Sequence, residues 1–175
     1  AATKIAADQL ALSFHKSFGL PVAIARPFNT YGPRQSLRAI IPTILMQIIN
    51  KKHITLGSTS PMRDFSFISD TVNGIISVLE QKESIGEIFN IGNGYEVSIS
   101  DLVKICLDIT KCNNKIMKET KRIRPDGSEV DRLLCCNQKV KKILNWQPEY
   151  YGKKGLKDGI TIFYKWLKVN KEKYF

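Results

Sequence analysis

The sequence predicts an α/β fold, and three observations carry that expectation. Segments with apolar residues at helical spacing alternate with short runs of β-branched residues. Glycine and proline punctuate most of the junctions between them. The chain is 175 residues long and 43% hydrophobic, enough apolar material for one core or part of a larger one, and too much for a disordered chain.

In chain order, a helix is already under way at Ala1. Ile5, Leu10, Leu12, Phe14 and Phe18 mark its apolar positions, no capping residue precedes it, and Gly19 and Pro21 end it. The chain is therefore expected to be a cut through a larger protein. Residues 22–25 read as a buried strand and 26–33 as a loop bounded by turn residues. A helix over 37–50, a strand over 53–56, a turn over 57–61 and an extended stretch over 63–67 follow. Ser69 or Asp70 is placed to cap a helix over 72–80. Residues 86–91 form a strand that ends in Gly92-Asn93-Gly94. A helix runs from 98–101 through 109, with Ser100 as its cap. Residues 115–119 read as a strand, 122–131 as a loop, and Asn137 as the cap of a helix to 145. An amphipathic helix over 152–168 closes the pattern. No GxGxxG or GxxGxxG occurs, so the chain cannot by itself form the usual dinucleotide pyrophosphate cradle.

Net charge is +11, which invites a polyanion partner. Its distribution argues against one. Residues 1–110 hold 10 Lys and Arg against 9 Asp and Glu, whereas 111–175 hold 17 against 7. Most of the excess is lysine at helical spacing, the pattern of a solvated helix face, so no nucleic-acid partner is expected. No apolar run approaches the ~20 residues of a membrane span, since the stretch around 40–49 is short and interrupted by Pro42, Thr43 and Gln47. The four cysteines contain no CxxC and the two histidines lie far from them, so no metal site is expected. Cys106 lies on an apolar helical stripe and reads as a buried thiol; Cys135 and Cys136 alternate in and out. With no signal peptide, reduced thiols point to a cytoplasmic protein.

Several segments together carry a resemblance: TKIAADQLALSF, RPFNTYGPRQ, IIPTI, LGSTSPMRDFSFISDTVNG, FNIGNG and RPDGSEVDRL. In this order they resemble the C-terminal half of an extended short-chain dehydrogenase/reductase (SDR), in the NAD-dependent nucleotide-sugar epimerase/dehydratase family. They look closest to 4,6-dehydratases acting on nucleotide-linked N-acetylhexosamines in legionaminic-acid-type pathways. The resemblance spans essentially the whole chain. It implies the last elements of a Rossmann-type domain over 1–33. A small mixed α/β substrate-binding domain then occupies most of 34–175, with some segments returning to the Rossmann sheet.

The resemblance also assigns roles. Lys4 matches the lysine of a Tyr-x-x-x-Lys motif whose tyrosine falls just before Ala1. On one helix face the ammonium favours the phenolate, and it also binds the nicotinamide ribose. Pro27 and Thr30 line the nicotinamide side of NAD, with NADP the less expected cofactor. Asn29 donates to the substrate's pyrophosphate or sugar. Ile40 follows a substrate-side position, Leu56 marks the segment against the base, and Tyr95 sits at the substrate rim. Arg63 and Arg124 match arginines that hold the diphosphate, for which a planar, permanently charged fork is suited. Arg132 and Glu129 read equally well as substrate contacts or as surface ions. The alternative for Arg63 is an ion pair with Asp64 or Asp70. Relatives tend to carry Asp where Cys136 stands, a capping position that Asn137 is placed to take over.

The implied chemistry is internal redox. The tyrosine, helped by Lys4, takes the C4 hydroxyl proton as hydride goes to NAD. Water leaves across C5–C6, and the hydride returns at C6. A nucleotide-sugar 4-epimerase is the nearest alternative, and a non-catalytic nucleotide-sugar- or polyanion-binding module the alternative of another class. A homodimer is implied for the full-length protein, and no activity for this piece alone.

Overall fold

The computed structural model describes residues 2–119 and 128–174. Its elements are α1 (Ala2–Phe18), β1 (Ile24–Pro27), β2 (Asn29–Tyr31), α2 (Ile40–Asn50), β3 (His53–Leu56), β4 (Met62–Phe67) and α3 (Ile68–Glu80), then β5 (Ile88–Ile91), β6 (Glu96–Ser98), α4 (Ile99–Thr110), β7 (Lys115–Lys118), β8 (Arg132–Leu133), α5 (Gln138–Leu144) and α6 (Gly152–Asn170). Helices and short strands alternate, as the pattern requires of an α/β chain.

The strands form three small groups. β1 pairs with β5 in parallel, and β3 pairs with β7 in parallel. β4 is the hub of the third. Its second half runs parallel to β2, with Asn29 opposite Phe65. Its first half pairs antiparallel with β6 and parallel with β8. β6 and β8 are too short to leave a pattern in the sequence, and both form because β4 offers them a ladder. The expected 26–33 loop is instead a strand, a step and a strand. Phe28 N–H still bonds Ile91 of the first group, and the next residue already pairs with β4. The chain thus crosses from one sheet to another within two residues.

The first strand lies two residues later than its β-branched run suggests, because the β5 ladder sets its register from Ile24 to Pro27. α2 begins at Ile40 rather than at 37. Thr43 donates its hydroxyl to the carbonyls of Leu37 and Ala39, both at 2.7 Å, and so holds the preceding residues in a turn. Seven of the eleven α2 residues are buried, and Gln47 among them exchanges two hydrogen bonds with the Thr55 backbone, tying α2 to β3.

Three capping expectations are corrected. α3 starts directly after β4, so neither Ser69 nor Asp70 is its cap; Asp70 accepts from the backbone N–H groups of Glu149 and Tyr150. Ser98, not Ser100, caps α4, accepting from Asp101 N–H at 3.0 Å. Asn137 occupies the cap position of α5, but its amide donates to the carbonyls of Gly92 and Asn93 instead.

Two apolar clusters hold the chain together. The larger gathers Ile44, Leu45, Ile54, Phe65, Leu102, Cys106, Ile160 and Phe163 from α2, β3, β4, α4 and α6. The smaller joins Phe89 and Ile91 of β5 to Val78, Val140, Leu144 and Trp146, with Ala23 and Ala25 packed against it. α1 contributes no buried residue and is tied to the rest through Asp8–Arg26 at 2.6 Å. Among the described residues, no helix is long and apolar enough to cross a membrane.

Candidate functional site

A cavity of about 500 Å³ opens where β2, the N-terminus of α2, the turn after β3 and strand β4 meet, with Glu129 at its rim. Alternation along β4 assigns its two charged residues to opposite sides. Arg63 lines the cavity. Its neighbour Asp64 is fully buried and accepts from the backbone N–H groups of Gly94 at 2.8 Å, Asn93 at 3.0 Å and Cys135 at 3.1 Å. Burial pushes the Asp64 carboxyl up, and the three N–H bonds oppose that shift. Asp64 is thus a brace that joins β4 to two loops. Its carbonyl oxygen accepts from Asn29 Nδ2 at 2.9 Å, which fixes the Asn29 amide at the cavity wall. The asparagine bonds a distant strand rather than its own backbone.

Arg63 pairs with neither Asp64 nor Asp70. Its Nη1 donates to the Met62 carbonyl at 2.8 Å and its Nη2 to Glu129 Oε1 at 2.7 Å. Thr30 shares a hydrogen bond with Thr71 at 3.0 Å, and its carbonyl accepts from Gln35 at 2.7 Å. Leu56 and Phe65 give the cavity apolar walls.

The N-terminus of α2 borders the same space through Ala39, Ile40 and Ile41. Ala39 stands at the cap position and offers no side-chain bond, so no capping side chain takes the first N–H groups. A polar side chain there would cover this helix end; alanine leaves it to the cavity. Arg38 lies just ahead. A cation beside a helix N-terminus opposes the helix dipole and is favourable where an anion sits between them. Arg38, Arg63 and the α2 terminus therefore make a region that attracts anions, with Glu129 as the one carboxylate among its described lining residues.

Of the residues expected from the sequence, Asn29, Thr30, Ile40, Leu56 and Arg63 line this one cavity. Others do not. Lys4 is exposed on α1, Pro27 is exposed at the end of β1, and Tyr95 packs against the larger apolar cluster. Arg132 is held by Glu96 at 2.7–2.8 Å outside the cavity, because β8 pairing turns it towards β6. Arg124 lies outside the described residues. Gln35, Arg38, Ser58 and Phe65 were not expected and also line the cavity. Arg38 had a readable signal, an arginine just ahead of an apolar helix; the others carry none in a single chain.

Tyr31, at the end of β2, is buried in the larger apolar cluster. Burial, and then the nearby Asp70 carboxylate, push its phenol up, and its hydroxyl donates to the Leu156 carbonyl at 3.3 Å. It is a structural phenol and no proton acceptor at neutral pH. Among the described residues no group of three His, Cys, Asp or Glu side chains is placed to hold a metal ion.

A model of the GDP-mannose 4,6 dehydratase family matches residues 1–159. The chain belongs to this family. It is 32% identical over 91% of its length to an uncharacterized UDP-glucose epimerase of Bacillus subtilis, covering 48% of that protein. It is 30% identical over 98% of its length to the dTDP-D-glucose 4,6-dehydratase of Homo sapiens, covering 51% of it. The structure of UDP-glucuronic acid 4-epimerase from Bacillus cereus, in complex with UDP-glucuronic acid and NAD, matches with a TM-score of 0.84 at 28% identity, over 96% of this chain and 52% of that one. The fold is thus part of a Rossmann-type extended SDR, in a family of nucleotide-sugar dehydratases and epimerases. The chain spans about half the length of the curated relatives it matches.

Proposed function

We propose that the cavity holds the diphosphate of a nucleotide sugar, and that the whole protein is a cytoplasmic, homodimeric, NAD-dependent 4,6-dehydratase. Its proposed substrates are nucleotide-linked N-acetylhexosamines of the legionaminic-acid type. The observation that carries this reading is the convergence of Arg63, Arg38 and the uncapped α2 N-terminus on one cavity that also contains Asn29 and Leu56. Two guanidinium groups and a helix terminus supply donors for phosphate oxygens. The apolar wall at Leu56 suits the base, and the Asn29 amide, fixed on the Asp64 carbonyl, suits a phosphate or sugar hydroxyl.

In this reading residues 1–33 close the dinucleotide-binding domain, and 34–175 mainly bind substrate. The smaller apolar cluster, which packs α5 and β5 against β1, fits segments that return to the first domain. Among the described residues no glycine-rich turn joins a strand to a helix as a pyrophosphate cradle does. In this reading Lys4, Pro27 and Thr30 meet the cofactor at its nicotinamide end. NAD, when bound to the whole protein, supplies the transient oxidation at C4. The part assigned to Lys4, exposed on α1, is to favour a phenolate on the same helix face.

Incubating the whole protein with UDP- or GDP-N-acetylhexosamine tests the reading. The expected product is a 4-keto-6-deoxy sugar that absorbs in alkali. A C4-inverted sugar that keeps its 6-hydroxyl identifies a 4-epimerase instead. Arg63→Ala is expected to raise KM about tenfold or more, the weight of a lost charge-assisted contact.

A further inference from the structure

The ion pair between Arg63 and Glu129 is built into the backbone. Glu129 lies 66 residues from Arg63 in sequence, on the segment that leads into β8. That segment is fixed to β4 beside Arg63. Met62 N–H bonds the Asp131 carbonyl at 2.8 Å, and β8 then pairs Leu133 with Arg63. The carboxylate sits only 27% exposed at the rim, against an arginine side chain that is 15% exposed. A negative group is thus held, by strand pairing, at the cationic edge of a cavity that is otherwise suited to anions.

We propose that Glu129 is a specificity-determining residue: by pairing with Arg63 it limits the negative charge the cavity accepts, and so favours the diphosphate diester of a nucleotide sugar over a free nucleoside diphosphate. This rests on the diphosphate reading above. A bare cationic cavity binds the more highly charged anion better. A free nucleoside diphosphate ends in a phosphate monoester with its second pKa near 6, so at neutral pH it carries roughly one more negative charge than the diester. Repulsion from a fixed carboxylate grows with the ligand's charge and is little screened at short range in a partly buried site. Glu129 therefore penalises both ligands, and the free diphosphate more. The selection has a purpose in the proposed chemistry, which acts on the sugar and leaves the diphosphate ester intact, so the free nucleotide is only ever a competitor.

Glu129→Gln tests this, because the amide oxygen still accepts from Arg63 Nη2 while the charge is gone. Affinities by titration calorimetry are compared for UDP with UDP-N-acetylglucosamine, and for GDP with GDP-mannose. In the pair that the wild-type chain binds, the variant is expected to tighten free diphosphate binding about tenfold and nucleotide-sugar binding about threefold. Glu129→Asp, which keeps the charge, is expected to keep the wild-type ratio, and it guards against a folding defect in the first variant. An unchanged ratio in Glu129→Gln, or weaker binding of both ligands, overturns the proposal while the diphosphate reading stands. Arg63→Ala with undiminished affinity, or a wild-type chain that binds none of the four ligands, overturns the diphosphate reading and the proposal together.

Discussion

Single side chains in this protein act chiefly by what they satisfy. Asp64 takes three backbone N–H groups from two loops, and Asn93 extends that brace by donating to the Tyr150 carbonyl at 2.7 Å and accepting from Gly152 N–H at 2.9 Å. Gly92 is confined by the same packing, since a Cβ there would lie 2.5 Å from the Cβ of Cys135. The cysteines show how burial sets reactivity at this scale. Burial pushes the Cys106 thiol up to about 12, and burial followed by the Asp64 charge does the same for Cys135. The thiolate is the nucleophile, so at pH 8 both remain protonated and unreactive in the folded chain. Cys136 is exposed and Cys112 half-buried. Maleimide labelling at pH 8 followed by mass spectrometry is expected to modify Cys136 first and to leave Cys106 and Cys135 free until urea unfolds the protein. Early labelling of Cys135 would show that the brace around Asp64 is not formed.

At the scale of elements, boundaries follow long-range pairing more than local propensity. α4 is a case where the local signal was present at two positions. Ser98 and Ser100 both stand where the apolar helical period begins, but β6 ends at Ser98 because that residue is opposite Met62, and the helix begins on the next residue, which puts Ser100 inside its first turn. The Ser98 hydroxyl then bonds the Asp101 N–H and donates to its carboxylate at 2.8 Å. Ser98→Ala is expected to cost about 1 kcal/mol, while Ser100→Ala stays within about 0.5 kcal/mol. Urea denaturation of the two variants separates these positions, and the reverse order would move the cap to Ser100. Elsewhere the helical periods were plain in the sequence: α4 and α6 lie where their apolar stripes put them, and α2 does so after a start three residues later than its stripe suggests. β6 and β8, three and two residues long, had no such stripe.

For the molecule as a whole, the buried and exposed apolar surfaces divide by element. The larger cluster is buried, but α1 exposes Leu10 at 61% and Phe18 at 76%, and α3 exposes Leu79 at 81%. On α3, Val72, Ile76 and Leu79 are spaced to lie on one helix face. These side chains add nothing to the core of this chain. Phe18→Ser and Leu79→Ser are therefore expected to change unfolding stability by less than about 0.5 kcal/mol. They are also expected to lower binding of a hydrophobic dye and raise solubility. A loss of several kcal/mol in either variant would mean that these faces are packed within the chain.

The fold class, the order of the main helices and strands, and the family were all legible in the sequence, because periodicity, turn residues and motif order are properties of neighbouring positions. So were five of the cavity residues, Asn29, Thr30, Ile40, Leu56 and Arg63, through motifs that lie on short local stretches. Only the tertiary structure decided which partner each polar group meets. It gave Arg63 to Glu129 rather than to Asp64, turned Arg132 to Glu96, and drew Asn137 away from its helix to the carbonyls of Gly92 and Asn93. It also added Arg38 and the open end of α2 to the cavity. Those outcomes depend on strand register and helix placement across tens of residues, and a side chain's charge or hydrogen-bonding capacity fixes what it needs but not which distant group will supply it.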